Sequence, residues 1–169
     1  MEIDLKADSP VSYIANLTVL IDALESGEWE RGAQRLVNEN KYCCFGVAMK
    51  LAGFSEIERH YFEPPNDPEL KDLVLEASDT QGWEASPPDV LARALGMKTD
   101  DDLYLEYDME GRIRPSGDDD VREGIVLNRI MNANDRERNI HWEDGNVLKW
   151  LTRLRAYWVT QFWVGQSEA

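Results

Sequence analysis

The stretch Tyr42-Cys43-Cys44-Phe45-Gly46-Val47-Ala48-Met49-Lys50-Leu51-Ala52-Gly53 constrains the fold more than any other, because a compact apolar run, both cysteines of the chain and a helix stop coincide in it. Phe45, Val47, Ala48 and Leu51 can share a core-facing side of a helix, and Gly53 can take the left-handed conformation that closes it. The spacing predicts a helix over Cys43 to Ala52. Adjacent cysteines bridge each other only with awkward geometry, so a structural disulfide is not expected, in keeping with a reducing compartment.

Around this anchor the remaining segments read mostly as helices. Ser9 followed by Pro10 is a cap and first-turn pair, and Ile14, Leu17, Leu20, Ile21 and Leu24 recur at three and four, predicting a helix from Pro10 to Glu25 that stops at Gly27. Residues 27–41 form a mixed segment with Trp29, Arg31 and Arg35, and Phe54 to Asp67 reads as a surface crossing that carries His60. Asp67-Pro68 ahead of Leu70, Leu73, Val74 and Leu75 predicts a short helix, and Ser86-Pro87 ahead of Val90, Leu91, Ala94 and Leu95 predicts another, closed by Gly96. Asp118 caps an expected helix through Val121 and Met131. Val147, Leu151, Leu154, Trp158 and Phe162 mark one face of a last helix from about Asn146.

Only between Leu103 and Arg114 does the period fall towards two, which predicts a hairpin. The expected class is therefore mainly α with a small β-hairpin (α+β), in a single compact domain over residues 1–169 with an acidic hairpin insertion near 100–117. The length suits one core.

Charge narrows the partners. With 33 acidic and 18 basic residues the chain carries −15, which disfavours direct nucleic-acid binding and favours a basic protein surface. The ten acidic residues from Asp100 to Glu123 face only Arg112, Arg114 and Arg122, and the triplets Asp100-Asp101-Asp102 and Asp118-Asp119-Asp120 bracket the expected hairpin. These six aspartates, with Tyr104 and Tyr107 between them, form the candidate binding surface; Trp29 and Trp83 are further aromatics suited to an interface. No long apolar run and no secretory leader stand in the chain, so a cytoplasmic protein with no membrane contact is expected.

The chain resembles a family of small, mostly uncharacterised bacteriophage and prophage proteins. Their pattern is an opening helix ending in Ser-Gly, then Tyr-Cys-Cys-Leu-Gly-Val, then an Asn-Asp pair ahead of a Trp-bearing helix. Ser26-Gly27, Tyr42 to Val47, Leu51-Ala52-Gly53, Asn134-Asp135 and Trp150 carry the likeness, which touches roughly residues 20–55 and 85–155. Phe45 stands where the family has Leu, Asn132-Ala133-Asn134-Asp135 replaces a simpler Leu-Asn-Asp, and the acidic insertion is additional. The resemblance implies a phage or prophage origin, and with it the host cytoplasm, but no activity.

Catalysis, if present, would rest on Cys43 or Cys44 at a helix N-terminus, with His141 as base and Asp135, Asp144 or an asparagine as its orienter, the order of a cysteine hydrolase or transferase. Against this stands the simpler reading of two small buried side chains that let helices approach closely. Neighbouring cysteines with only His60 and His141 to join them miss the zinc spacings, and no phosphate loop occurs, so neither a metal nor another cofactor is expected. Asn134 and Asp135 suit caps and turns better than a ligand site. The leading expectation is a non-enzymatic phage accessory protein, a counter-defence inhibitor that docks an acidic surface on a basic host protein. A cysteine enzyme and a phage structural or assembly protein are the alternatives, and the oligomeric state is open.

Overall fold

The computed structural model describes residues 1–32, 36–38, 40–59, 72–77, 81–83, 87–97, 105–107, 113–115, 130, 134, 142 and 146–167. Within them, helices α1 (Pro10–Glu25), α2 (Cys44–Leu51), α3 (Asp89–Ala94) and α4 (Asn146–Ser167) contribute more residues than the strands. The described part is thus mainly helical, with a sheet against it.

Helix α1 starts as its sequence dictates. The Ser9 hydroxyl accepts from the Ser12 N–H while the Ser12 hydroxyl accepts from the Ser9 N–H, a reciprocal box that satisfies two donors of the first turn. Gly27, at φ +79°, lies just beyond its end. Leu17, Leu20, Ile21 and Leu24 are buried on one stripe, and α1 packs most extensively against α4. From α4, Val147, Leu151, Leu154 and Trp158 enter the same core. Trp158 also donates its indole N–H to the Gly96 carbonyl at 3.1 Å, and a Cβ at Gly96 would lie 2.2 Å from that nitrogen. The glycine both stops α3 at φ +75° and leaves room for the indole.

Buried Asn16 fastens two more pieces to α1. Its side-chain oxygen accepts from the Asp4 N–H at 3.0 Å, and its amide nitrogen donates to the carbonyls of Asp4 and Ala94 at 2.9 and 2.7 Å. One polar side chain in the core thereby holds the N-terminal segment and the end of α3, with its bonding capacity well used.

The sheet is larger than the sequence predicts. Strands β1 (Glu30–Arg31), β2 (Val37–Asn38), β3 (Lys41–Tyr42), β4 (Ser55–Arg59) and β5 (Asp72–Ala77) lie in the order β1-β3-β2-β5-β4, and β6 (Gln81–Trp83) pairs with β5. β1 runs parallel to β3; the other pairs are antiparallel. This corrects three expectations. The mixed segment supplies β1 and β2, the surface crossing opens with β4, and the helix placed over Leu70 to Leu75 gives way to β5, whose Leu73, Val74 and Leu75 pair with Glu58, Ile57 and Glu56. A run of three apolar residues does not distinguish helix from strand, and pairing on both edges settles the matter.

Strands β7 (Leu105–Tyr107) and β8 (Ile113–Pro115) pair antiparallel with each other, Glu106 opposite Arg114. The connection between them lies outside the described residues, as does most of the helix expected through Val121 and Met131. Helix α4 continues to Ser167, past the expected Phe162.

Candidate functional site

The start of α2 holds the two cysteines that the sequence singles out for chemistry. Cys43 is the N-cap, extended at φ −75° and ψ 167°, and its sulfur accepts from the Gly46 N–H at 3.3 Å. The Cys43 N–H donates to the Leu36 carbonyl at 3.1 Å. A Cβ at Gly46 would lie 1.9 Å from that same carbonyl oxygen, so the first turn of α2 presses on the Leu36 backbone with glycine as the only side chain that fits. Gly46 therefore accounts for the spacing Cys-Cys-x-Gly: cap, first helical residue, and close approach.

The next donor, the Cys44 N–H, is satisfied from far along the chain. Asn134 accepts from it through Oδ1 at 3.2 Å and donates through Nδ2 to the Gly32 carbonyl at 3.0 Å. Gly32 in turn donates its N–H to the Tyr42 carbonyl at 2.8 Å. The Arg31 guanidinium donates to the Asn134 backbone carbonyl, which places a buried cation beside the same residue. Asn134 is 1% exposed and Arg31 7%. Eight residues further on, the Trp142 indole donates to the Trp29 carbonyl at 2.9 Å, a second tie of this C-terminal segment to the β1 strand and its approach.

Beside this cluster, Trp29 meets Tyr42 edge-on with centroids 4.9 Å apart. The Tyr42 hydroxyl donates to Glu56, which also faces Lys50 at 3.6 Å. Burial first, and then the hydrogen bond and negative charge of Glu56, push the Tyr42 phenol up to about 12. Trp29, expected at an interface, is partly buried and packed against the core.

Both cysteines are buried, Cys44 completely and Cys43 at 6% exposure. A nucleophile needs an approach path for its substrate, and neither sulfur has the exposure for one. The arrangement does something else: it satisfies the Cys44 and Gly46 amide donors of a buried helix start and ties β1, the Leu36 turn, α2 and the Asn134 segment together. Among the described residues no group of three or more histidines, cysteines or carboxylates is placed to hold a metal. No described helix is long and apolar enough to cross a membrane.

The other sequence candidates are not brought to this point within the described residues. His141, Asp135, Asp144, Asp100, Asp101, Asp102, Tyr104, Asp118, Asp119 and Asp120 lie outside them, as does His60; Tyr107 is described as part of the β7 backbone. The local pattern reads Asn134 as a cap or turn former and gives Arg31 no role beyond its charge. Asn134 is a cap, but of a helix ninety residues earlier. No family model, curated protein or solved structure matches the chain.

Proposed function

We propose that this protein is a non-enzymatic accessory binding protein, of phage or prophage origin and acting in the host cytoplasm, that docks its acidic hairpin insertion near residues 100–117 on a basic host protein. The observation that carries the reading is the burial of Cys43 and Cys44 within the α2 cap, because it takes up in the scaffold both nucleophile candidates of the sequence. What remains for function is charge. A net −15, with −7 of it between Asp100 and Glu123, sets a field that steers a cationic partner and repels nucleic acid. The aromatic residues Tyr104 and Tyr107 within that stretch supply contact area once the partner has arrived.

Inhibition of a nucleic-acid-binding host enzyme is the form of docking best suited to such a field, since carboxylates spaced along a surface compete for the cations that hold phosphates. The test is affinity capture from bacterial lysate at low and at moderate salt. The wild type is compared with a variant in which Asp100, Asp101, Asp102, Asp118, Asp119 and Asp120 are all replaced by Asn. A basic protein retained at low salt, released as salt rises and absent from the variant capture supports the reading. Equal capture by both proteins contradicts it.

A further inference from the structure

Helix α4 carries Lys149, Arg153 and Arg155 and no carboxylate, in a chain of net charge −15. Val147, Leu151, Leu154 and Trp158 turn into the core, and on one flank of that stripe Arg155 donates to the Thr18 hydroxyl of α1 at 3.3 Å. At about 100° of turn per residue, Trp150, Arg153 and Tyr157 stand on the opposite flank, and all three are half-buried. The Arg153 guanidinium lies over the Trp150 ring at 5.0 Å and keeps its charge there, while burial pushes the Tyr157 phenol up. Lys149 is exposed one turn before Arg153 and shares its face. After α1, the described element that packs most against α4 is β8, the returning strand of the acidic hairpin. That strand lies inside the stretch from Asp100 to Glu123, which carries −7.

We propose that α4 holds the acidic hairpin in cis, with β8 along the flank of Trp150, Arg153 and Tyr157 and with Lys149 and Arg153 as counter-charges. A basic partner then has to compete with α4 for the acidic stretch. Charge of one sign at this density repels itself, and cations within about 8 Å, the Debye length at physiological salt, relieve part of that repulsion. The contact is therefore a latch made by this chain's own helix. Ion pairs near the surface are individually weak, so the latch is loose enough for salt, or a more basic surface, to open it. Arg155 is left out of it, being turned to Thr18 on the other flank. That the latch regulates docking rests on the docking reading above; the contact itself does not.

The test is amide hydrogen exchange of β7 and β8 in the full chain, at about 0.05 M and about 0.5 M salt. The wild type is compared with the α4 variant Lys149→Gln/Arg153→Gln and with a control, Lys6→Gln/Lys41→Gln, whose exposed lysines lie elsewhere and whose net charge changes equally. At low salt the hairpin amides of the α4 variant exchange about tenfold faster than those of the wild type and of the control, with α1 and α2 unchanged. High salt brings the wild type to the same rate. Decalysine is the probe for competition, and at low salt it binds the α4 variant about tenfold more tightly than the control. If the α4 variant also loses protection in α1, Lys149→Gln alone decides. Hairpin exchange equal in all three proteins, or equal decalysine affinity of the two variants, overturns the proposal. Neither readout needs the host protein, so a failed capture leaves the latch standing, and a hairpin indifferent to α4 leaves the docking reading standing.

Discussion

Asn134 Oδ1 accepts the backbone N–H of Cys44 at 3.2 Å, so the first turn of α2 is capped by a residue ninety positions downstream. A long-range cap makes the helix start and the C-terminal segment mutually dependent. Asn134→Ala orphans the Cys44 N–H and the Gly32 carbonyl inside the protein, which costs about 2–6 kcal/mol at about 1–3 kcal/mol for each unsatisfied group. Asn134→Asp keeps the acceptor but sets a buried carboxylate oxygen against the Gly32 carbonyl, so it too falls below the wild type. Urea unfolding of the three proteins checks the ranking.

Gly46 sets a sharper limit. With Leu36 O only 1.9 Å from an added Cβ, and that atom part of the backbone, Gly46→Ala forces α2 off its seat and costs more than about 3 kcal/mol or abolishes folding. Gly165, in α4, has nothing within 4 Å of its Cβ position. Gly165→Ala raises stability by up to about 1 kcal/mol, because alanine is the better helix former. Thermal unfolding of the pair separates packing from propensity.

The buried thiols give a third expectation. Cys43→Ser retains the cap, since a hydroxyl accepts the Gly46 N–H at least as well as sulfur, whereas Cys43→Ala costs about 1 kcal/mol. In the native protein both thiols are alkylated only at the rate of local or global opening. A thiol that reacts at the rate of a model compound under native conditions would contradict the structural role.

Tyr42 makes stability depend on alkaline pH. Its phenol is raised from 10.0 to about 12 by burial and by Glu56, so the folded protein holds a proton that the unfolded chain has lost between those values. The unfolded state binds fewer protons there, and stability falls as pH rises. The contribution is complete below pH 10 and is lost on passing about 12. Tyr42→Phe, which also removes the bond to Glu56, flattens that slope; denaturant titrations across the range, with phenolate absorbance as a second readout, test it.

The legible part of the fold is the part with local grammar. Ser9-Pro10 and Gly27 delimit α1 because caps and stops act within a turn. Strands β1, β2 and β3 are two residues each and show no period to read. At β5 the pair Asp67-Pro68 suggests a helix start, but β4 and β2 on either edge of the strand impose extended backbone. The cysteine helix was legible for the same reason as α1. Its caps were only half so: Cys43 and Gly46 are three residues apart, while Asn134 and Arg31 become neighbours only through the folded chain. Nothing in the local pattern marks a buried arginine that donates to a distant carbonyl.

We propose that this chain acts by electrostatic docking and not by cysteine chemistry. The most direct test is the association rate with the captured partner, measured at two ionic strengths for the wild type and for the variant with Asn at positions 100, 101, 102, 118, 119 and 120. The account predicts that the variant folds at least as well, associates more slowly at low salt and has a flatter salt dependence. Unchanged association rate and salt slope would show the acidic stretch to be only a solvated face and would contradict the account.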